Sequence, residues 1–179
     1  KLEEYGISYI GSSSLVLERT INKYETGVVL QTDNITTPYS LILKKGDCID
    51  TIDTSNIDFP AIIKPNKEGS SVGVLKVRDE EELRLTLDKG LNQYEEVLVQ
   101  KCMQGREFTC GVIEIDGKTK ALPVTEIILT KGGMFDYHAK YTPNACLEVT
   151  PATIDDSLRE KIQQMALLVH RVTGCRDIS

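Results

Sequence analysis

The feature that most constrains this chain is a loop rich in glycine and serine between two predicted strands. Phe59–Pro65 is a short apolar run bounded by prolines, which predicts a buried strand that delivers Lys64 to the loop at 66–73. Strand character resumes at Val74. Glycines let a backbone approach a ligand closely, and successive N–H groups can converge on an anion. The loop is therefore predicted to wrap phosphate oxygens, with an ordinary hairpin loop as the alternative.

This loop is not a Walker-type phosphate loop. That pattern needs G-x-x-x-x-G-K-S/T at the start of a helix, whereas strand residues follow the loop here. A second candidate binding element is the strand at Glu96–Gln100 and the segment after it, up to Met103. A strand end offers a C=O and an N–H to an adenine edge, and Glu107 can accept hydrogen bonds from ribose hydroxyls. A strand edge followed by a surface turn is the alternative interpretation.

The spacing of apolar residues predicts three helices. The first covers residues 14–33, with Lys23 near its middle. A second begins after an Asp79 N-cap and breaks near Gly90. The third covers about 158–172 and is closed by Gly174, after which the chain enters a strand.

Two β-rich runs flank the turn pair Asp116-Gly117, so 107–115 and 120–126 are predicted to form an antiparallel hairpin. Residues 130–150 lack clean periodicity, which is typical of either a disordered segment or a functional lid. Aromatic side chains accompany Lys140 within this span, making it a third candidate binding element. We assign no catalytic role to His138 or His170, because a histidine without a partner pattern is more often simply solvated or hydrogen-bonded.

Length, net charge and cysteine content limit the classes of function that this chain can have. A chain of 179 residues suits one compact domain or two small lobes around a cleft. Its net charge of -6 without a basic block argues against nucleic acid, and no apolar run reaches the roughly 18 residues of a membrane span. The odd count of five cysteines without a C-x-x-C pair predicts reduced core cysteines and a cytoplasmic location. No secretory leader is recognised, and we expect a chain truncated at both ends.

Taken in order, these segments resemble D-alanine–D-alanine ligases over nearly the whole chain. The matching segments are Ile7–Ser12 before the helix bearing Lys23, Ile63–Pro65 with Glu68–Gly73, Gly105–Thr109, Leu122–Ile127, Asp136-Tyr137 with Ala139–Tyr141, and Pro151-Ala152. The resemblance implies an α+β ATP-grasp fold, in which two lobes close over ATP. It divides the chain into a remnant of the N-terminal domain and linker at 1–21, a central lobe at 22–104 and the first part of a C-terminal lobe at 105–179.

The resemblance also implies a role for each site residue. Lys23, Lys64 and Lys140 would contact phosphates, under a loop that includes Glu68, Gly69, Ser70 and Ser71. The adenine would bind at Gln100, Lys101, Cys102 and Met103, between Ile62 and Met134, while Glu107 holds the ribose. Ser70 and Tyr141 would join a hydrogen-bond network around the first D-alanine and, with Lys140, form the catalytic set.

The implied activity is ATP-dependent ligation of two D-alanines through an acylphosphate, for peptidoglycan precursors, by a homodimer with magnesium or manganese. Gln100 stands where the family commonly has glutamate, and His138 where glutamate often precedes Ala-Lys-Tyr. The metal ligands and a catalytic arginine would lie beyond Ser179, so we expect the chain as given to be inactive. D-alanine–D-lactate or another amino-acid ligation, a nucleotide-binding module without catalysis, and a domain that binds no nucleotide remain alternatives. Tyr141 favours the dipeptide-forming subtype.

Overall fold

The first helical region is interrupted, so the prediction of one helix over 14–33 is wrong. The computed structural model describes residues 2–130 and 133–179, and it contains α1 at Ser14–Ile21 and α2 at Lys23–Thr32. Asn22 between them has φ -78° and ψ 98°, and its side chain accepts a hydrogen bond from the Glu25 N–H at 3.1 Å. An N-cap of this kind starts a new helix. Lys23 therefore begins α2 instead of lying in the middle of a longer helix.

A four-stranded antiparallel sheet follows. Its strands are β1 (Ser40–Lys44), β2 (Ala61–Pro65), β3 (Leu75–Val77) and β4 (Glu96–Lys101), in the order β1-β4-β2-β3, with a short 3-10 helix at Ile49–Thr51. All three neighbouring pairs are antiparallel. The predicted buried strand before the glycine- and serine-rich loop is confirmed as β2, and the loop connects it to β3.

One face of this sheet is covered by α3 (Glu80–Gln93), which Asp79 caps as predicted. Leu83 and Leu87 are fully buried against the sheet, and every other residue of β2 joins the same core. The expected break near Gly90 is wrong, because the helix continues to Gln93. A Cβ at Gly90 would meet the nearest methyl of Val97 at 3.4 Å, so this glycine lies where α3 and β4 approach closely.

The second half of the chain forms a three-stranded sheet and a separate hairpin. The sheet has the order β5-β8-β9 and the hairpin pairs β6 with β7, from β5 (Glu107–Thr109), β6 (Val112–Ile115), β7 (Lys118–Ala121), β8 (Thr125–Leu129) and β9 (Cys146–Val149). The hairpin turns at Asp116-Gly117 as predicted, with positive φ at both residues. The run 107–115 is not one strand, however, because it divides at 110–111 between the two structures.

Two helices complete the described chain, α4 (Tyr137–Tyr141) and α5 (Asp156–Thr173). The third predicted helix is confirmed as α5, and Gly174 ends it in the left-handed conformation with φ 75°. The span 130–150 is more regular than its sequence indicates, since it holds α4 and β9. Residues 131 and 132 of the predicted lid, and residue 1 of the predicted linker, lie outside the described residues.

The cysteines differ from expectation in their burial, whereas the second histidine is hydrogen-bonded, which is one of the two environments expected for it. All five cysteines are free, but none is buried, so the expectation of core cysteines is wrong. His170 is buried near the end of α5, where its ring nitrogens lie 2.8 Å from Ser179 Oγ and 3.3 Å from Glu114 Oε1. Within residues 2–130 and 133–179, no helix is both long and apolar enough to cross a membrane.

Candidate functional site

Lys64 is a half-buried cation to which the described residues offer no partner. Side chains alternate along β2, so Ala61 and Ile63 point into the core while Ile62 and Lys64 occupy the opposite face. Among the described residues, no hydrogen bond or ion pair engages the Lys64 ammonium. Burial lowers the pKa of Lys64, and the positive charge of Lys23 lowers it further. The two ammonium groups are therefore close enough to repel each other, and an anion between them would relieve that repulsion.

Lys23 is fixed by the first residues of the loop. Its Nζ donates to the backbone carbonyls of Pro65 at 3.3 Å and Asn66 at 3.0 Å, and also to that of Glu68. These contacts occupy all three donors of the ammonium. Burial lowers the pKa of Lys23, and the Glu68 carboxylate partly offsets this. A phosphate oxygen would have to displace one of the carbonyls, and that of Glu68 lies at the exposed end.

The loop at 66–73 requires unusual backbone conformations. Ser70, Ser71 and Gly73 have φ of 53°, 59° and 70°, in the left-handed region. A Cβ at Gly73 would lie 2.8 Å from Pro65 Cγ and 2.9 Å from Tyr94 Oη, distances too short for any other residue. The loop therefore bends back tightly over the end of β2.

The loop contacts the segment that carries Lys140. Ser71 Oγ donates to the Phe135 carbonyl at 3.1 Å, and Lys140 Nζ lies 5.0 Å from the centre of the Phe135 ring. These contacts connect two parts of the chain that the sequence separates by more than sixty residues. Ser70 and Tyr141 are both exposed, and no hydrogen bond joins them in the part of the chain that the structure describes. Their predicted network around a first D-alanine stays a prediction.

A pocket of 460 Å³ lies beyond the end of β4. Its lining includes Cys102, Met103, Glu107, Met134 and Phe135. The Cys102 N–H is used by the Pro60 carbonyl at 3.1 Å, whereas the Met103 N–H has no partner among the described residues. An unpaired N–H beside a partly apolar pocket is the group that an adenine edge needs.

The remaining predicted adenine residues lie outside this lining. The Lys101 ammonium lies 2.6 Å from Asp58 Oδ2, and the Lys101 N–H donates to the Tyr39 carbonyl at 3.4 Å. Gln100 donates to Ser40 Oγ at 2.5 Å. Its register partner is Ile62, two residues before Lys64 on the same face of the sheet. The face of β2 that carries Ile62 and Lys64 thus runs from the proposed adenine-binding segment toward the two lysines. Lys23 and Lys64 do not line the pocket itself.

Sequence reasoning gave no role to an ion pair at the pocket wall. Arg106 binds Glu126 through two hydrogen bonds, Nε to Oε1 at 2.6 Å and Nη2 to Oε2 at 2.7 Å. Glu126 is only 8% exposed, and the hydrogen bonds from Arg106 lower the pKa of its carboxyl. The pair crosses from the entry of β5 to β8 and lines the pocket together with Glu107. The sequence signal for this pair was Glu126 itself, a glutamate at an inward position of a β-rich run.

Metal ligands do not cluster in the described part of the chain. Over residues 2–130 and 133–179, no group of three or more His, Cys, Asp or Glu side chains could hold a metal ion. The arrangement consists of two adjacent lysines, a glycine- and serine-rich loop and a pocket with a free N–H. It matches the chemistry of a nucleotide, with phosphates at the lysines and the base at the pocket.

Comparisons with known proteins show the family and the fold of the chain. The family described as D-ala D-ala ligase C-terminus matches residues 29–179. The D-alanine–D-alanine ligase of Phocaeicola vulgatus is 33% identical over 97% of this chain and 53% of its own length. That of Flavobacterium johnsoniae is 36% identical over 89% of the chain and 49% of its own length. The chain therefore spans about half the length of these relatives.

Two solved structures are similar over almost all of the chain. The VanG D-Ala:D-Ser ligase from Enterococcus faecalis has a TM-score of 0.81 and 30% identity, covering 97% of this chain and 51% of its own. The ATP complex of the D-alanine–D-alanine ligase from Bacillus anthracis has a TM-score of 0.79 and 25% identity, covering 99% and 54%. The fold is accordingly the ATP-grasp fold, as the sequence predicts. Within that class, the chain belongs to the D-alanine–D-alanine ligase family.

Proposed function

We propose that this chain binds ATP and carries the nucleotide site of a ligase that joins two D-alanines into D-alanyl-D-alanine. Family membership supports the reaction class. The single observation that carries the proposal is the Lys64 ammonium, which has no partner in the described part of the chain and lies near Lys23, on the sheet face that leads to the 460 Å³ pocket. A half-buried cation without a counter-charge is costly unless a ligand supplies the charge.

The proposed roles follow the contacts described above. Lys23 and Lys64 bind phosphates, and Lys140 reaches the transferring group from the segment that Ser71 contacts. Met103 and its neighbours bind adenine through the backbone. Further proposed contacts to the adenine come from Ile62, Gln100, Lys101, Cys102 and Met134. Glu107 holds the ribose, and Glu68, Gly69, Ser70 and Ser71 cover the phosphates.

The proposed reaction has two steps. The carboxylate of the first D-alanine attacks the γ-phosphoryl group, which gives an acylphosphate and ADP. The amine of the second D-alanine then attacks the acyl carbon, and phosphate leaves as the peptide bond forms and the amine loses a proton. Lysines that surround the transferring phosphoryl group neutralise the charge that it spreads over its oxygens. We propose that Ser70 and Tyr141 orient the first D-alanine for this attack.

Magnesium or manganese belongs to the proposal only as a partner of ATP. The metal's charge would neutralise the phosphates further. The described residues do not offer the cluster of carboxylates that would hold it, so no step is assigned to it here.

The proposed organisation has a central lobe at 22–104 and a C-terminal lobe that begins at 105, preceded by linker residues 1–21. The separate hydrogen-bonded sheets formed by residues 40–101 and 107–149 support this boundary. A cytoplasmic location and a homodimer complete the proposal, both by analogy with the family.

An ATP titration of the purified chain tests the nucleotide site. We expect saturable heat on calorimetric titration with ATP, a large loss of affinity in Lys64→Ala, and none in Lys118→Ala, an exposed lysine of the β6–β7 hairpin. Absence of binding by the wild type would contradict the proposed function. Equal binding by both variants would remove Lys64 from the site.

A second candidate is ligation of D-alanine to a different acceptor. The likeness to the VanG D-Ala:D-Ser ligase favours D-serine, and D-lactate is the other acceptor that the sequence leaves open. Phosphate release and product mass spectra distinguish the three when they are measured with D-alanine alone, and with D-alanine plus each acceptor, on a protein of the relatives' full length that contains this chain. D-alanyl-D-alanine as the main product is expected. ATP binding without phosphate release under any condition would favour a nucleotide-binding module without catalysis.

A further inference from the structure

Asn66, the first residue of the glycine- and serine-rich loop, is fully buried. Its side-chain amide is 0% exposed, and every polar atom of it has a partner. Nδ2 donates to Asn22 Oδ1 at 2.9 Å and to Glu96 Oε2 at 2.7 Å, while Oδ1 accepts from the Tyr24 N–H at 3.0 Å. These three partners belong to the break before α2, to α2 itself and to β4. One amide therefore joins three elements that meet at the proposed phosphate site.

The backbone of the same residue holds Lys23. The Asn66 carbonyl accepts from the Lys23 backbone N–H at 3.2 Å and from Lys23 Nζ at 3.0 Å. Its own N–H donates to the Glu96 carbonyl at 3.0 Å. The orientation of this peptide group is thus fixed at both ends, and it in turn fixes both ends of the Lys23 side chain.

An asparagine suits this position for a chemical reason. An amide supplies two donors and an acceptor in one plane, and a buried network of this kind is favourable only when each member is satisfied. Aspartate would have no N–H for Asn22 or Glu96. Alanine would leave the Tyr24 N–H without its partner and would take one donor from the Glu96 carboxylate, which keeps its ion pairs with Lys44 and Lys67. Loss of the amide would remove the contacts that tie Asn66 to Asn22, Tyr24 and Glu96, so the Asn66 carbonyl would hold the Lys23 ammonium less firmly.

We infer that Asn66 is a positioning residue for phosphate binding, which acts by holding Lys23 next to Lys64 so that both ammonium groups face one anion. The inference rests on the proposed function, because it concerns the same nucleotide site. Asn66 itself need not touch the nucleotide, since its amide is turned toward Asn22 and Glu96. The ligand class is a polyphosphate, and the adenine pocket is not involved.

The test separates the phosphate grip from the adenine pocket. Binding of inorganic tripolyphosphate and of adenosine is measured by calorimetry and NMR titration for the wild type and Asn66→Ala. We expect Asn66→Ala to weaken tripolyphosphate binding about tenfold, the scale of one lost charge-assisted hydrogen bond, and to leave adenosine binding unchanged. Leu83→Ala is the matched control, because it removes an equally buried side chain from the other face of the sheet. It should lower thermal stability without changing tripolyphosphate affinity.

A double-mutant cycle shows whether the effect passes through Lys23. In a Lys23→Ala background, Asn66→Ala should cost less than about twofold in tripolyphosphate affinity, since residues that act through one contact are not additive. If Asn66→Ala does not fold, Asn22→Ser replaces it. Serine keeps the N-cap of α2 but is too short to reach the Asn66 amide, so a smaller loss of tripolyphosphate affinity is expected with adenosine again unaffected.

The outcomes distinguish the inference from the proposed function. A wild type that binds neither ATP nor tripolyphosphate overturns both. If the wild type binds them, two results would overturn the inference alone. In the first, the Asn66→Ala variant, or Asn22→Ser in its place, binds tripolyphosphate as well as the wild type does. In the second, that variant loses tripolyphosphate and adenosine binding in parallel. A loss that persists undiminished in the Lys23→Ala background also overturns it.

Discussion

Replacing Lys64 by methionine should change stability and ATP affinity in opposite directions. The folded chain keeps the Lys64 ammonium half-buried and near Lys23, and both the burial and the Lys23 charge lower its pKa. The ammonium has no partner among the described residues. Methionine has a similar length and no charge, so the variant should be more stable than the wild type at pH 7. It should also bind ATP about 10- to 150-fold more weakly, because one charge-assisted hydrogen bond to phosphate contributes about 1.5–3 kcal/mol.

The charge of Lys64 determines how the stability difference between Lys64→Met and the wild type changes with pH. The folded-state pKa of Lys64 lies below its unfolded value of about 10.4, so at any pH below the folded pKa both states are protonated and the wild type bears the full cost of the buried charge. As pH rises through the folded pKa, the folded protein releases the proton first and its stability increases. The advantage of Lys64→Met should therefore be largest near pH 7 and shrink toward pH 10.

Urea unfolding at both pH values, together with calorimetric ATP titration at pH 7, measures these effects. Lys118→Met is the control, since Lys118 is exposed in the β6–β7 hairpin. The reasoning would be refuted by a Lys64→Met variant that is less stable at pH 7 by an amount that does not change with pH. Unchanged ATP affinity would refute it as well.

Three further predictions concern the loop and the pocket wall. Gly73→Ala should lose about 1–3 kcal/mol in urea unfolding, because its positive φ and its close neighbours exclude a Cβ; a neutral result would mean that the loop can rearrange. Ser71→Ala removes the contact with the Phe135 carbonyl, so hydrogen exchange should speed up in residues 68–73 and ATP affinity should fall a few-fold. Unchanged exchange would mean that this contact does not hold the loop to the segment around Phe135. Glu126→Gln should be less stable than the wild type at pH 7. The difference should vanish as pH falls from about 4.3 through the lowered pKa of Glu126, because protonation removes the carboxylate that Arg106 binds. A difference that persists in acid would indicate a packing effect.

Local signals in the sequence account for the parts of the fold that could be predicted. The Asp79 cap, the Asp116-Gly117 turn and the Gly174 helix end depend on the residue itself and its nearest neighbours. The strand before the glycine- and serine-rich loop is equally local, since an apolar run bounded by prolines has few alternatives. The ATP-grasp fold as a whole followed from the order of several such segments, none of which was specific alone.

The errors have a tertiary origin. Asn22 interrupts a helical pattern because its amide is also the partner of Asn66, a contact that spans 44 positions. Gly90 stays within α3 because that helix packs closely on β4 at Val97, which no helix-ending rule takes into account. The pair of Arg106 and Glu126 was missed for the same reason, since its residues lie 20 positions apart and meet only when β5 pairs with β8.

Lysine labelling in the presence and absence of ATP tests the central claim most directly, namely that lysines from separate parts of the chain converge on one triphosphate. An amine-reactive reagent followed by mass spectrometry reports each lysine individually. We expect ATP to protect Lys23, Lys64 and Lys140, while Lys118 on the distant hairpin is labelled equally under both conditions. Uniform labelling of all four lysines, or protection that is confined to the hairpin, would contradict the account.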